Sequence, residues 1–311
     1  MVTFSSTSLS KLAALLLLAV MWGLSIPVTK FGVMTLPPLT LTALRFAIAV
    51  PPLLLLVVGR QRLPLRATPR VAGLGILGVG IGQVAQTFGV AGTSASVGTI
   101  ISATIPVFIV VFAAVRLKQP VSGVQKLGLL AAFAGIALVA LGRSQGAAPI
   151  SQTTIGGAAC VLLSAITIAF YYVWSVELTT AYGTATVAGW STLFGFIAMT
   201  PWAAWEMSRV PFTLTTGAFL SAAYLGLVVT VAGLFLWLSL LRTVPARVAA
   251  SVQYLQPLVG VGVSALIFGD ELGVTFAAGV ILVLGGLAMT MASRRAAPKT
   301  GHRDHLPEGM T

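Results

Sequence analysis

The chain has 311 residues, 57% of them from the AVILMFWYC set and only 8% charged, with a mean hydropathy of +1.01. A soluble domain carries roughly 25% charged residues, so a water-soluble fold of this length is excluded. Eighteen Lys or Arg against six acids give a formal net charge of +12, but the bases fall between apolar runs and in the C-terminal tail, which is a membrane-topology pattern and not a nucleic-acid footprint.

A membrane helix needs about 20 mainly apolar residues. Ten stretches meet that requirement, at 12–33, 38–58, 71–91, 95–115, 123–142, 155–177, 185–206, 214–240, 246–268 and 273–293. Pro37-Pro38, Gly92, Pro120, Gly183, Pro211 and Pro245 fall at or near their ends, as helix punctuation should. The first run resembles a signal peptide, with Lys11 followed by LAALLLLAV. It continues through Gly23, Ser25 and Pro27 without a persuasive cleavage signal, so it is read as a retained helix.

In hydrocarbon an unsatisfied polar group costs several kcal/mol, so polar residues in these spans should face protein or a wet cavity. Span 1 places Trp22 beside Ser25 and Pro27. Span 2 holds Arg45, expected to snorkel or to anchor backbone carbonyls, with attraction of a substrate carboxylate as the alternative. Gln83, Gln86 and Thr87 share one face of span 3, and Thr99, Ser102 and Pro106 one face of span 4. Thr167, Tyr171 and Trp174 form a stripe on span 6; Gly226, Thr230, Gly233 and Trp237 form another on span 8. Span 9 carries Gln253, Tyr254 and Gln256.

Small and hydroxylated residues in membrane helices commonly serve close packing, and Trp202, Trp205 and Tyr182 near span ends are expected at the membrane interface. The expected cavity residues are therefore Trp22, Gln83, Gln86, Thr87, Ser102, Tyr171, Trp174, Trp237, Gln253, Tyr254 and Gln256, with Pro106 and Pro257 bending their helices.

With the N-terminus inside, fourteen basic residues lie on the cytoplasmic side and three, Lys30, Arg143 and Arg209, outside. That bias places both termini in the cytoplasm. Displacing the sequence by 151 residues brings Gly75 onto Gly226, Gly82 onto Gly233, Pro106 onto Pro257, Gly128 onto Gly279, Gly135 onto Gly286 and Arg143 onto Arg294. The expected organisation is two five-helix repeats, 1–145 and 152–295, joined by Ser144 to Ser151 and followed by a disordered cytoplasmic tail at 296–311. Five is odd, so the second repeat enters the membrane from the opposite side, an arrangement that puts a substrate site at the repeat interface.

These residues resemble the drug/metabolite transporter superfamily in its bacterial EamA-type branch. The landmarks are Trp22-Gly23, Leu44-Arg45-Phe46, the stretch Thr93 to Pro106, its second copy Pro245 to Pro257, and Phe268-Gly269-Asp270-Glu271 before a glycine-rich last span. The first copy departs, reading Leu117-Lys118-Gln119-Pro120 where the pattern has an acid. The resemblance implies a ten-helix exporter of metabolites, commonly amino acids or drugs, with a cavity lined by spans 1, 3, 4, 6, 8 and 9.

The expectation is thus an all-α integral protein of the cytoplasmic membrane that moves a small molecule by alternating access and works as a monomer in the bilayer. The alternatives are a membrane-embedded enzyme on a lipid-linked substrate and a non-transporting pore or scaffold. An enzyme would need convergent acids, histidines or a metal, whereas Glu177, Glu206 and Asp270-Glu271 lie near span ends and His302 and His305 sit in the tail. Cys160 is the sole cysteine, so no CxxC site exists, and neither metal nor cofactor is expected. With no mid-membrane carboxylate to carry a proton, a facilitator or exchanger is expected.

Overall fold

A computed structural model describes residues 6–59, 62–116, 118, 121–141, 153–243, 252–270 and 272–292. The linker Ser144 to Ser151, Pro120, Pro245, Glu271 and the tail at 296–311 lie outside them. Among the described residues the chain is helical, and we number its ten spanning units α1 to α10. They are α1 (Ser6–Gly23 and Ser25–Gly32), α2 (Pro38–Leu55), α3 (Thr68–Ala91), α4 (Ala95–Ser102 and Ile105–Arg116) and α5 (Gly123–Leu141). The second half has α6 (Ile155–Tyr182), α7 (Thr184–Arg209), α8 (Thr216–Ala223, Tyr224–Ala232 and Gly233–Thr243), α9 (Val252–Phe268) and α10 (Val274–Ala292).

Eight of these are long and apolar enough to cross a membrane. Of the other two, α7 has 26 residues but a more polar composition, and α9 is shorter at 17. At about 1.5 Å per residue even α9 traverses most of a roughly 30 Å hydrocarbon core.

Local chemistry sets the helix ends. Pro38 opens α2, where its missing N–H costs nothing. Ser94, Thr154 and Thr215 cap α4, α6 and α8 by accepting from Val97 N, Gly157 N and Ala218 N. The break between α6 and α7 is a single residue, Gly183, at φ +81° and ψ 143°, a conformation that essentially only glycine adopts. It lets α6 run to Tyr182 instead of ending at 177, and α7 start at Thr184. Tyr182, expected at the interface, packs partly buried beside Val71 and Val187.

The packing is that of inverted repeats. Contacts between α1 and α9 have their mate in α6 with α4; α3 with α6 is matched by α8 with α1, and α3 with α7 by α8 with α2. The pairs α2–α7, α4–α9 and α5–α10 lie on the pseudo-two-fold itself. The same symmetry appears in backbone form. α3 widens to a π-helix over Gly75–Ile81 and α8 over Tyr224–Ala232, and the displacement of 151 residues carries the first onto 226–232. Periodicity gave no sign of these wide turns.

One end of the bundle, the acidic end, gathers Lys30, Glu206 and Asp270; the other, the basic end, gathers Arg62, Arg66, Arg70, Arg116 and Lys126.

Candidate functional site

At the centre, α1, α3, α4 and α9 enclose a cavity of about 50 Å³ lined by Trp22, Gly23, Ser25, Ile26, Gln86, Thr99, Ser102, Ala103, Ile105, Gln256 and Pro257. Its polar lining is uncharged. A water needs roughly 10–15 Å³ measured this way, so a few waters fit, whereas pockets for drug-sized ligands run to hundreds of Å³. Ser102 Oγ is buried without a hydrogen-bond partner, while Thr99 bonds back to Ala95 O, the usual way a hydroxyl is satisfied inside a helix.

Of the expected residues, Trp22, Gln86, Ser102 and Gln256 meet at this cavity. Six others do not line it. Gln83 accepts from Arg45 Nη1 at 2.9 Å, and Thr87 bonds Thr42 at 2.8 Å. Tyr171 bonds Ser191 at 2.8 Å. Trp174 stacks on Phe170 at 3.9 Å, with the Arg116 guanidinium 5.3 Å from its ring. Tyr254 packs against Val107, Ala132 and Leu287. Trp237 is one layer removed, its ring 5.7 Å from that of Trp22. Gln253 lies in α9, but its side chain is outside the described residues.

Thus among the described residues α6 and α8 supply no wall of this cavity, contrary to what the resemblance implied. The reason on the α8 side is Trp22, whose indole fills the space: Nε1 donates to Val229 O at 3.2 Å, in the π-helical turn, and Gly233 leaves the room it needs. Sequence reasoning could not find Gly23, Ile26, Ala103 and Ile105 as lining, because nothing distinguishes them from packing residues. Of the expected bends, α4 breaks at Ala103-Thr104 just before Pro106, while α9 runs unbroken through Pro257.

The acidic end is joined by buried charges, each at the helix pole that suits its sign. Lys30, counted by the sequence among the three bases on the outer side, is buried in the last turn of α1. Its Nζ donates to Thr93 O at 2.6 Å, Val90 O at 3.1 Å and Ala91 O at 3.3 Å, capping the C-terminus of α3. Asp270, 7% exposed, accepts from Ser96 N at 2.8 Å at the N-terminus of α4. Glu206, 6% exposed, accepts from Thr40 N at 2.7 Å, Thr40 Oγ at 2.9 Å and Leu39 N at 3.3 Å at the N-terminus of α2. Both acids belong to the second repeat and hold helices of the first. Thr154 adds two bonds to Gly92 O, each 2.9 Å. At the basic end the ion pair described is Arg116 with Glu177 at 2.8 Å, exposed and so worth at most about 1 kcal/mol.

Arg45 does not snorkel. It turns inward and bonds the side chains of Gln83 and Thr230, not backbone carbonyls. Among the described residues no group of three His, Cys, Asp or Glu could hold a metal ion.

Comparison with known proteins adds a family. The model of the EamA-like transporter family matches residues 9–141 and again 155–292. An uncharacterised transporter of Archaeoglobus fulgidus is 24% identical over 92% of this chain and 100% of its own length. The Escherichia coli K12 inner membrane transporter YedA, also uncharacterised, is 26% identical over 88% of this chain and 90% of its own. An E. coli K12 protein named "Probable amino-acid metabolite efflux pump" is 25% identical over 90% and 94%. A solved crystal structure aligns at TM-score 0.62 and 19% identity over 92% of this chain and 98% of its own, which shows the fold alone.

Proposed function

Because the chain belongs to the EamA-like transporter family and is a multi-pass membrane protein, we propose that it carries small metabolites, amino acids or amphipathic compounds among them, out of the cell by alternating access. The observation that carries this reading is the uncharged, polar cavity between α1, α3, α4 and α9, at the interface of the two repeats. Inverted halves supply the two related states such a cycle needs. The moving units are the halves 1–145 and 152–295, with Trp22, Gln86, Ser102 and Gln256 meeting the cargo.

In this reading the termini and the basic end face the cytoplasm, following the bias of Lys and Arg. The acidic end is then the external gate, closed here by Lys30, Glu206 and Asp270, and the cargo enters once the cavity widens. Transport runs down the cargo's own gradient in the bilayer, by a monomer, without nucleic acid or cofactor.

Counterflow in proteoliposomes tests this, with labelled amino acids and amphipathic drugs and with membrane potential and pH gradient both collapsed. Accumulation of at least one label above the protein-free control is expected. No exchange of any label would reject the transport reading, and exchange only under an imposed proton gradient would reject the gradient-driven one.

A further inference from the structure

Arg45 is buried, 8% exposed, about two turns into α2 from the acidic end. Among the described residues, the carboxylates nearest that end are committed elsewhere, Glu206 to the first turn of α2 and Asp270 to that of α4. The partners of Arg45 are neutral: Nη1 donates to Gln83 Oε1 at 2.9 Å, while Nε and Nη2 both donate to the one oxygen Thr230 Oγ, at 3.2 and 3.0 Å. A buried guanidinium without a counter-anion is costly to keep.

The Nε–Nη2 edge is the fork whose two parallel N–H bonds match the two oxygens of a carboxylate. Here both arms converge on a single hydroxyl, which itself donates to Leu225 O at 2.8 Å. Thr230 belongs to the π-helical turn Tyr224–Ala232. Such wide turns are rare and occur frequently at functional sites.

The fork does not line the cavity but is linked to it through α3. Gln83 and Gln86 are one turn apart on α3, the first bonded to Arg45 and the second lining the cavity. Trp22, also in the lining, is bonded to Val229, the neighbour of Thr230.

We propose that Arg45 is the anion subsite of the cargo, taking a free monoanionic carboxylate on its Nε–Nη2 edge in place of Thr230, while the rest of the molecule fills the widened neutral cavity. This rests on the transport reading. Lys30, the other buried base among the described residues, is engaged by three carbonyls at the acidic end, which leaves Arg45 as the one described positive charge beside the site. One charge suits a carboxylate better than a phosphate dianion.

The test measures thermal unfolding of the purified protein in detergent with each of the twenty amino acids, with benzoate, and with phenylalaninamide, leucinamide and phenethylamine as uncarboxylated counterparts. At least one carboxylate is expected to raise the melting temperature where its amide does not. R45Q should weaken that carboxylate about ten-fold or more, the scale of a lost charge-assisted hydrogen bond, and R45K should restore part of it. T230V, which frees the fork, should tighten binding about two- to five-fold, a gain that a purely structural role for Arg45 would not produce. If R45Q does not fold, the amide series and T230V decide.

Equal stabilisation by acids and amides, undiminished binding in R45Q, or no stabilisation by any carboxylate would overturn the subsite. Counterflow separates the two claims. Amides and acids exchanged alike, with R45Q unaffected, removes the subsite and leaves transport; a carboxylate bound through Arg45 but never exchanged removes transport and leaves the subsite.

Discussion

Gly128 of α5 lies against the backbone of Gly286 in α10, and a Cβ built on it would stand 2.7 Å from Gly286 O. About two turns further along the same face, a Cβ on Gly135 would stand 2.7 Å from Gly279 O. The repeat relates Gly128 to Gly279 and Gly135 to Gly286, so each glycine meets the counterpart of its neighbour, as a two-fold axis between the helices requires. In lipid, where tails are as apolar as side chains, such close backbone approach is a main source of helix association.

Gly128→Ala is therefore expected to destabilise the protein by about 1–3 kcal/mol, the usual cost of overpacking. The obstacle is a backbone carbonyl that cannot swing aside. Gly262→Ala in α9, where a Cβ meets nothing within 4 Å, should be neutral or slightly stabilising, because alanine favours helix. Melting temperatures in detergent compare the two, and equal shifts would contradict the packing.

At the cavity, Gln86→Ala and Gln256→Ala should lower counterflow several-fold at normal membrane abundance, since each removes an amide from the lining without removing a charge. Leu55→Ala, at a strongly exposed position on α2, should change little. A reversed order of effects would move the site elsewhere.

The acidic-end bonds predict a change in accessibility. Glu206→Ala strips three donors of α2 of their acceptor, at about 1–3 kcal/mol for buried groups left unsatisfied. If these bonds close the external gate, a cysteine replacing Ser94 in a Cys160→Ser background should react faster with an impermeant maleimide once Glu206 is changed. An unaltered rate would leave Glu206 as a helix cap without a gating role.

Orientation is tested in intact cells with two exposed positions, again without Cys160. Leu272→Cys, just past Asp270 at the acidic end, should be labelled by the impermeant reagent, and Arg62→Cys at the basic end should not. The opposite pattern would invert the topology.

The sequence by itself determined what depends on sums over many residues. Apolar length set the ten spans, and Gly and Pro positions set the repeat, because a bilayer demands continuous helix and a repeated packing contact demands a repeated small residue. Trp22, Gln86, Ser102 and Gln256 were legible as inward-facing because polar groups in hydrocarbon must find partners. Which partner each one finds was not legible. Periodicity put Gln83 and Gln86 on one face, yet only the three-dimensional arrangement gives Gln83 to Arg45 and Gln86 to the cavity. It alone turns Arg45 inward, buries Lys30, Glu206 and Asp270 at helix poles, and sets π-helical turns in α3 and α8. A charge near a span end can reach water or cap a neighbouring helix, and the sequence encodes both outcomes alike. The choice depends on whether an unpaired helix terminus from a distant segment arrives within about 3 Å, a distance that exists only once the helices have packed.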